Sequence, residues 1–240
     1  MILLFSDYGL AGPYIGQVEA VLHQYAPQER VINLFADVPR NNPKAGAWLL
    51  AAYSREVQVG TVFFCVVDPG VGTFTDRPLI MRIDGRWFVG PDNGLFTIIA
   101  RQGNKVDCWE ITWRPEILSD SFHGRDLYAP VCAMLAQGDK PPGEKITWQE
   151  RYDWQDDLHE IIYIDHFGNC MTGIWAVALG DDAVIRIAGK TIQHAKTFAA
   201  VREGEIFWYR NSSNLIEIAV NLGSAARALR VEVGAQFETA

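Results

Sequence analysis

The seven residues Thr61-Val62-Phe63-Phe64-Cys65-Val66-Val67 constrain the fold of this chain more than any other stretch. A continuous run of apolar, β-branched and aromatic side chains suits a parallel strand covered on both faces. Asp68-Pro69-Gly70-Val71-Gly72-Thr73 then ends it abruptly. A carboxylate at the C-terminal end of a buried strand, followed by glycines that let backbone approach a ligand, lies where open α/β sheets bind small molecules. Asp-Pro-Gly is also common turn chemistry, with Asp as the cap. The rest of the chain decides between the two.

Residues 2–5 read as a first buried strand, and Ser6-Asp7-Tyr8-Gly9 leave its C-terminal end as Asp68 leaves its own. Pro13 suits a first helical position, and Ile15, Val18 and Leu22 follow at helical spacing. Residues 30–35 make a second strand, and Asn42-Pro43 open a helix with Ala45, Leu49 and Ala52 on one face. Asp7 and Asp68 are therefore expected at one edge of a parallel sheet. Asp84-Gly85, between apolar runs at 78–83 and 86–90, is a strong hairpin signal. Its second arm enters Pro91-Asp92-Asn93-Gly94, where Asp92 or Asn93 can cap the short helix that follows. A strand is expected over 105–111, and a helix from Ser121-Phe122-His123-Gly124-Arg125-Asp126, bent at Pro130.

Residues 138–157, with adjacent Pro141 and Pro142, show no periodic element and read as a linker. Short strand-like runs follow at 160–164, 183–187, 205–209, 215–220 and 228–233, separated by Gly, Asn and Ser. The expectation is a parallel-sheet, Rossmann-like α/β domain over 1–140, a linker over 141–157, and a small antiparallel β-barrel or sandwich over 158–240.

A length of 240 residues with 49% hydrophobic and 21% charged composition allows a sizeable core. Net charge is −8 with no basic run, which argues against a nucleic-acid partner. Cys65, Cys108, Cys132 and Cys170 are widely spaced among apolar neighbours and read as reduced core residues of a cytoplasmic protein. The start of the chain is too quickly polar for a signal peptide, and no apolar run approaches the ~20 residues of a membrane span.

Asp165-His166-Phe167-Gly168-Asn169 is a further polar stretch of chemical use, and each such stretch is weak evidence by itself. In order, Ser6-Asp7, Asp68 to Thr73, Pro91 to Leu95, Phe122 to Pro130, Asp165 to Asn169, Asn211-Ser212-Ser213 and Glu217 to Ala225 form a specific set spanning nearly the whole chain. This set resembles the S-adenosylmethionine hydroxide adenosyltransferase family, the S-adenosylmethionine hydrolases related to fluorinating and chlorinating enzymes.

The resemblance implies that Asp68, His123 and an arginine hold and polarise a water, which attacks ribose C5′ and releases methionine from adenosine. The family's loop runs from Gly-Thr into an arginine pair, whereas this chain has Thr73-Phe74-Thr75-Asp76-Arg77, with an added residue. Arg77 is the nearest candidate. The early loop also departs, with Ala11-Gly12-Pro13 where an acidic residue is usual and Glu19 where a lysine is usual. By the same matching Asp7 is the ribose-diol ligand and Asn169 an adenine contact, with turn capping the alternative for Asn169 and Ser213. Asp165 and Ser213 lie near the methionine end, and backbone around Leu222 meets the base. The halogenating members resemble the chain less, having a tyrosine in place of Asp68 and a serine in place of Gly124. The resemblance also implies a homotrimer with each site shared between subunits.

A neutral thioether leaving a sulfonium needs no acid to protonate it, so catalysis comes down to aiming and activating a water. No cofactor is implied. His123, Asp126, Asp68 and Asp92 lack compact ligand spacing, so no metal is expected. Two other readings are a non-catalytic protein that binds S-adenosylmethionine or adenosine on the same fold, and a metal-dependent hydrolase using Asp68, Asp92 and His123.

Overall fold

The computed structural model describes residues 1–73 and 75–240, in two compact units, Met1–Tyr152 and Asp153–Ala240. In the first, the elements are β1 (Ile2–Ser6), α1 (Tyr14–Tyr25), β2 (Val31–Phe35), α2 (Pro43–Ser54), β3 (Val62–Val66), β4 (Pro78–Ile83), β5 (Arg86–Pro91), α3 (Thr97–Gln102), β6 (Val106–Ile111), α4 (Ala129–Ala136) and β7 (Gly143–Ile146). The strands form one sheet in the order β2-β1-β3-β5-β4-β6-β7.

Every residue of β1 and β3 is buried. Their alternating side chains feed two layers. Ile2, Leu4, Val62, Phe64 and Val66 share a core with Ile15, Val18 and Leu22 of α1 and Val131 and Leu135 of α4. On the other side Phe5 lies close to Gly46 of α2, and Phe63 stacks on Phe88 with ring centroids 4.8 Å apart. Asn42 starts α2 by accepting the Ala45 amide at 2.9 Å.

The sheet is mixed rather than parallel throughout. β2, β1, β3 and β5 run parallel, while β4 lies antiparallel between β5 and β6, and β7 pairs antiparallel with β6. The cause is the two-residue connection at Asp84-Gly85, both at positive φ, which folds β4 directly back on β5. The Asp84 carboxylate also accepts the Asn104 and Lys105 amides and so fixes the start of β6. β7 lies in the stretch read as a linker; its four residues lack a periodic signal because they only extend an existing edge. A π-helical turn at Gly124–Tyr128 runs straight into α4, and Pro130, which has no N–H to give to the helical ladder, falls just after this change of helix type.

The second unit contains β8 (Leu158–Ile164), β9 (Cys170–Trp175), β10 (Ile185–Ile187), β11 (Lys190–Ile192), β12 (Ile206–Arg210), β13 (Leu215–Val220), α5 (Ala225–Leu229) and β14 (Glu238–Thr239). They make two antiparallel sheets, β12-β13-β9-β8 and β11-β10-β14, over a core that includes Ile161, Ile174, Ile185, Trp208 and Ile218. The strand expected at 228–233 is absent. Ser224 caps α5 there by accepting the Arg227 amide, and Arg230 ends it in the left-handed conformation. The four cysteines are buried free thiols, and among the described residues no helix is long and apolar enough to cross a membrane.

Gly90 of β5 has no room for a side chain, because a Cβ would collide with the Cys65 carbonyl of β3. Backbone cannot swing aside as a side chain can. Gly90→Ala should therefore lower unfolding free energy by at least about 1–3 kcal/mol, read from the urea midpoint.

Candidate functional site

β1 and β3 are adjacent and parallel, in register from Ile2 opposite Val62 to Ser6 opposite Val66. Asp7 and Asp68 therefore leave the sheet at the same edge. The chain passes from β1 to β2 on one side, then returns through α2 to β3 on the other, so this edge is a point where the strand order reverses. Loops diverge at such a point and leave a crevice beyond the strand ends. A cavity of about 260 Å³ occupies it, lined by Asp7, Tyr8, Tyr14, Asp68, Phe122, His123 and Gly124 among others.

Glycines bring its loops together. Gly72 has φ +80°, and a Cβ on it would overlap the Asp120 carbonyl, so the loop after β3 lies directly on the segment leading to His123. Arg125 and Asp126 secure that segment. Asp126 binds Arg125 Nε at 2.6 Å and accepts the Ser119 amide, while Arg125 Nη1 donates to Gln17 of α1 at 3.0 Å.

Asp7 accepts the Asn41 amide at 2.9 Å, and Asp68 accepts the Gly70 amide at 3.1 Å. Burial raises both carboxyls above their ordinary value of 3.8, and these hydrogen bonds act against it. Around Asp68, Asp76 and Asp7 raise its pKa further and His123 lowers it. A Cβ on Gly70 would lie 3.1 Å from Asp76 Oδ2 and 3.6 Å from Asp68 Oδ1, so the two carboxylates flank one glycine.

Arg77 does not line this cavity. Its Nη2 binds Asp92 Oδ2 at 2.9 Å and its Nη1 lies 3.7 Å from Glu110. Arg151 Nη1 reaches the Asp92 carbonyl at 2.5 Å and lies 3.3 Å from Asp76. Asp92, buried at the end of β5, draws in both guanidinium groups, since a desolvated carboxylate needs charged donors. Phe74, within the same loop, lies outside the described residues.

The other named residues meet in the second unit. Asp165, Asn169, Ser213 and Leu222 line a cavity of about 810 Å³ with Phe167, Met171, Phe198, Tyr209, Glu217 and others. Asp165 accepts from the Phe167 and Asn169 amides and from Asn169 Nδ2, at 2.8–2.9 Å. It holds the turn that presents Asn169, so turn capping and ligand contact can coexist. Gly168, at φ +86°, lies so close to Ser224 that a Cβ would overlap its hydroxyl.

Glu217 enters the sequence reading only as part of a motif, yet it underlies this cavity. It is 2% exposed, accepts from Tyr209 Oη at 2.6 Å and Asn211 Nδ2 at 2.7 Å, and burial raises its pKa. Asn211 Oδ1 in turn accepts the amides of Ser213 and Leu215. The available signal is an acid inside the apolar run Leu215-Ile216-Glu217-Ile218-Ala219-Val220. Phe167 and Leu222 stand exposed at the cavity. Tyr8, Tyr14 and Phe122 likewise receive no role from the sequence, because aromatic residues in loops carry no periodic signal. Among the described residues no group of three His, Cys, Asp or Glu side chains is arranged to hold a metal ion.

Residues 2–144 match the model of the SAM hydroxide adenosyltransferase N-terminal domain, and residues 159–238 that of the C-terminal domain. The chain is 33% identical to the (R)-S-adenosyl-L-methionine hydrolase of Thermus thermophilus, over 97% of this chain and 96% of the relative. It is 34% identical to that of Salinispora arenicola, over 97% and 94%. Similarity to the fluorinase of Nocardia brasiliensis is weaker, 23% over 98% and 94%. A crystal structure of an uncharacterized conserved protein from Thermotoga maritima superposes with a TM-score of 0.90 at 31% identity, covering 100% of this chain and 99% of that one. Both units and nearly the full length agree, and the chain belongs to the SAM hydroxide adenosyltransferase family.

Proposed function

We propose that this protein hydrolyses S-adenosylmethionine to adenosine and methionine, by attack of an activated water on ribose C5′. The observation that carries the reading is the meeting of Asp7, Asp68 and His123 in one cavity at the reversal of strand order, within a chain of this family. Asp68 is the base that takes the water proton, and His123 beside it holds the water. Asp7 receives the ribose diol, because a carboxylate can accept from two hydroxyls at once. In the second unit Asn169 meets adenine, Asp165 and Ser213 lie toward the methionine end, and backbone at Leu222 borders the base. A cationic substrate also suits half-buried carboxylates, whose ionised form it favours.

The homotrimer with a shared site, the cytoplasmic location, and a Rossmann-like first domain over 1–140 with a barrel or sandwich over 158–240 belong to the same proposal. The strand Gly143–Ile146 is added to the first domain. The displaced Arg77 favours the second reading, a protein that binds S-adenosylmethionine without turnover. Incubation with S-adenosylmethionine and chromatography of the nucleosides decides: stoichiometric adenosine and methionine support the hydrolase, and bound but unchanged substrate supports the binding protein.

Asp68→Asn and His123→Ala should each lower turnover by ~10²–10⁴-fold with little change in substrate affinity, since their contribution arises in the transition state. Arg77→Ala should leave turnover near wild type, because its guanidinium is engaged by Asp92 and Glu110. It should lower stability by about 1–3 kcal/mol in denaturant titration, because buried Asp92 loses a partner.

The pH profile supplies another test. Asp68 must be ionised to act as base, and its pKa is raised, so kcat/KM should fall on the acid side at a pH above the ordinary carboxylate value of 3.8. Asp76 contributes to that rise. Asp76→Asn should move the acid limb to lower pH, and an unmoved limb would exclude Asp68 as the group it reports.

A further inference from the structure

Tyr8 lines the first unit's cavity, and its hydroxyl has no part in the hydrolysis as drawn from Asp7, Asp68 and His123. Its ring is held by Phe64, Phe122 and Tyr14, with centroids at 6.3, 5.7 and 5.9 Å. The oxygen lies directly against Gly124, where a Cβ would overlap it, and Gly124 follows His123 in the chain. Glycine at 124 is thus what makes room for the phenol. Tyr8 Oη makes no hydrogen bond to any described residue, and the Tyr8 side chain belongs to the cavity lining together with Asp68 and His123. The arginine nearest in sequence to Asp68 is engaged with Asp92 and Glu110 outside this cavity.

We propose that Tyr8 is a further catalytic residue of the hydrolysis, its Oη donating a hydrogen bond to the oxygen of the attacking water. The inference rests on the hydrolase reading. The water oxygen forms its bond to C5′ as the C5′–S bond breaks, and that electron pair stays on sulfur, which leaves as the neutral thioether of methionine. The water proton passes to the Asp68 carboxylate. Tyr8 keeps its own proton, since burial and the charges of Asp7 and Asp68 push its ionisation far above neutral pH. A fixed donor suits this position: with Asp68 accepting one hydrogen bond from the water and Tyr8 donating one to its oxygen, the water is held with its remaining lone pair aimed at C5′. Its rigid mount by three rings leaves little to reorganise.

The test compares wild type, Tyr8→Phe and Gly124→Ala, measuring adenosine release and the dissociation constant of S-adenosylmethionine. Tyr8→Phe keeps the ring and removes only the oxygen; Gly124→Ala keeps the oxygen and forces it from its place. The expected result is a loss of turnover of ~10²–10³-fold in Tyr8→Phe, with the dissociation constant within about threefold, and a loss in the same direction in Gly124→Ala. Turnover in Tyr8→Phe within about twofold of wild type would overturn the inference, as would a change confined to affinity. Should Tyr8→Phe not fold, wild-type turnover in Gly124→Ala would overturn it alone. A wild type that binds S-adenosylmethionine and releases no adenosine would instead refute the hydrolase reading, and this inference with it.

Discussion

The parallel pairing of β1 with β3 is the constraint on which the first unit's site depends. Ser6 stands opposite Val66, so the residues after each strand emerge side by side, and both loops carry an aspartate. Burial raises the pKa of both carboxyls, and the charge of Asp7 raises that of Asp68 further. The Asn41 and Gly70 amides offset part of this and leave the site short of positive charge. A cation bound beside these carboxyls would favour their ionised form.

Around this pair the protein commits polar groups to fixing loops. Arg125 and Asp126 tie the His123 segment to α1 through Gln17, and Gly72 seats the loop after β3 against Asp120. A buried acid acts in the same way in the second unit, where Glu217 orients Asn211 and Asn211 shapes the turn that presents Ser213. A buried carboxylate with two hydrogen-bond donors is held in a single arrangement, because losing either donor would leave a desolvated oxygen unpaired. The loops around both cavities are fixed by these partners.

Asp92 explains the loop that departs from the family pattern. As the most buried of the acids along this sheet edge, it competes most strongly for cations, and it holds Arg77 directly and Arg151 through its carbonyl. Asp76 is left beside Asp68, with Arg151 3.3 Å from its carboxylate. An arginine in the loop is therefore no assurance of an arginine in the cavity. Electrostatic competition decides where the guanidinium goes.

By itself the sequence determined much of this protein. The Thr61–Val67 run, the Asp84-Gly85 turn and the Asn42-Pro43 helix start read as the structure has them, because each is a local matter of side-chain shape and backbone preference. The ordered motifs also reached the family, and they named Asp7, Asp68 and His123. Tertiary structure decided the rest. β7 and β14 exist by pairing with strands already present, and residues 228–233 gave way to a helix end because Ser224 and Arg230 set its limits. Arg77 lies away from the Asp68 cavity, and Tyr8 lies within it, for reasons no spacing encodes. Which partner an arginine finds depends on how deeply competing acids are buried, and whether the Tyr8 phenol has room depends on Gly124, far along the chain.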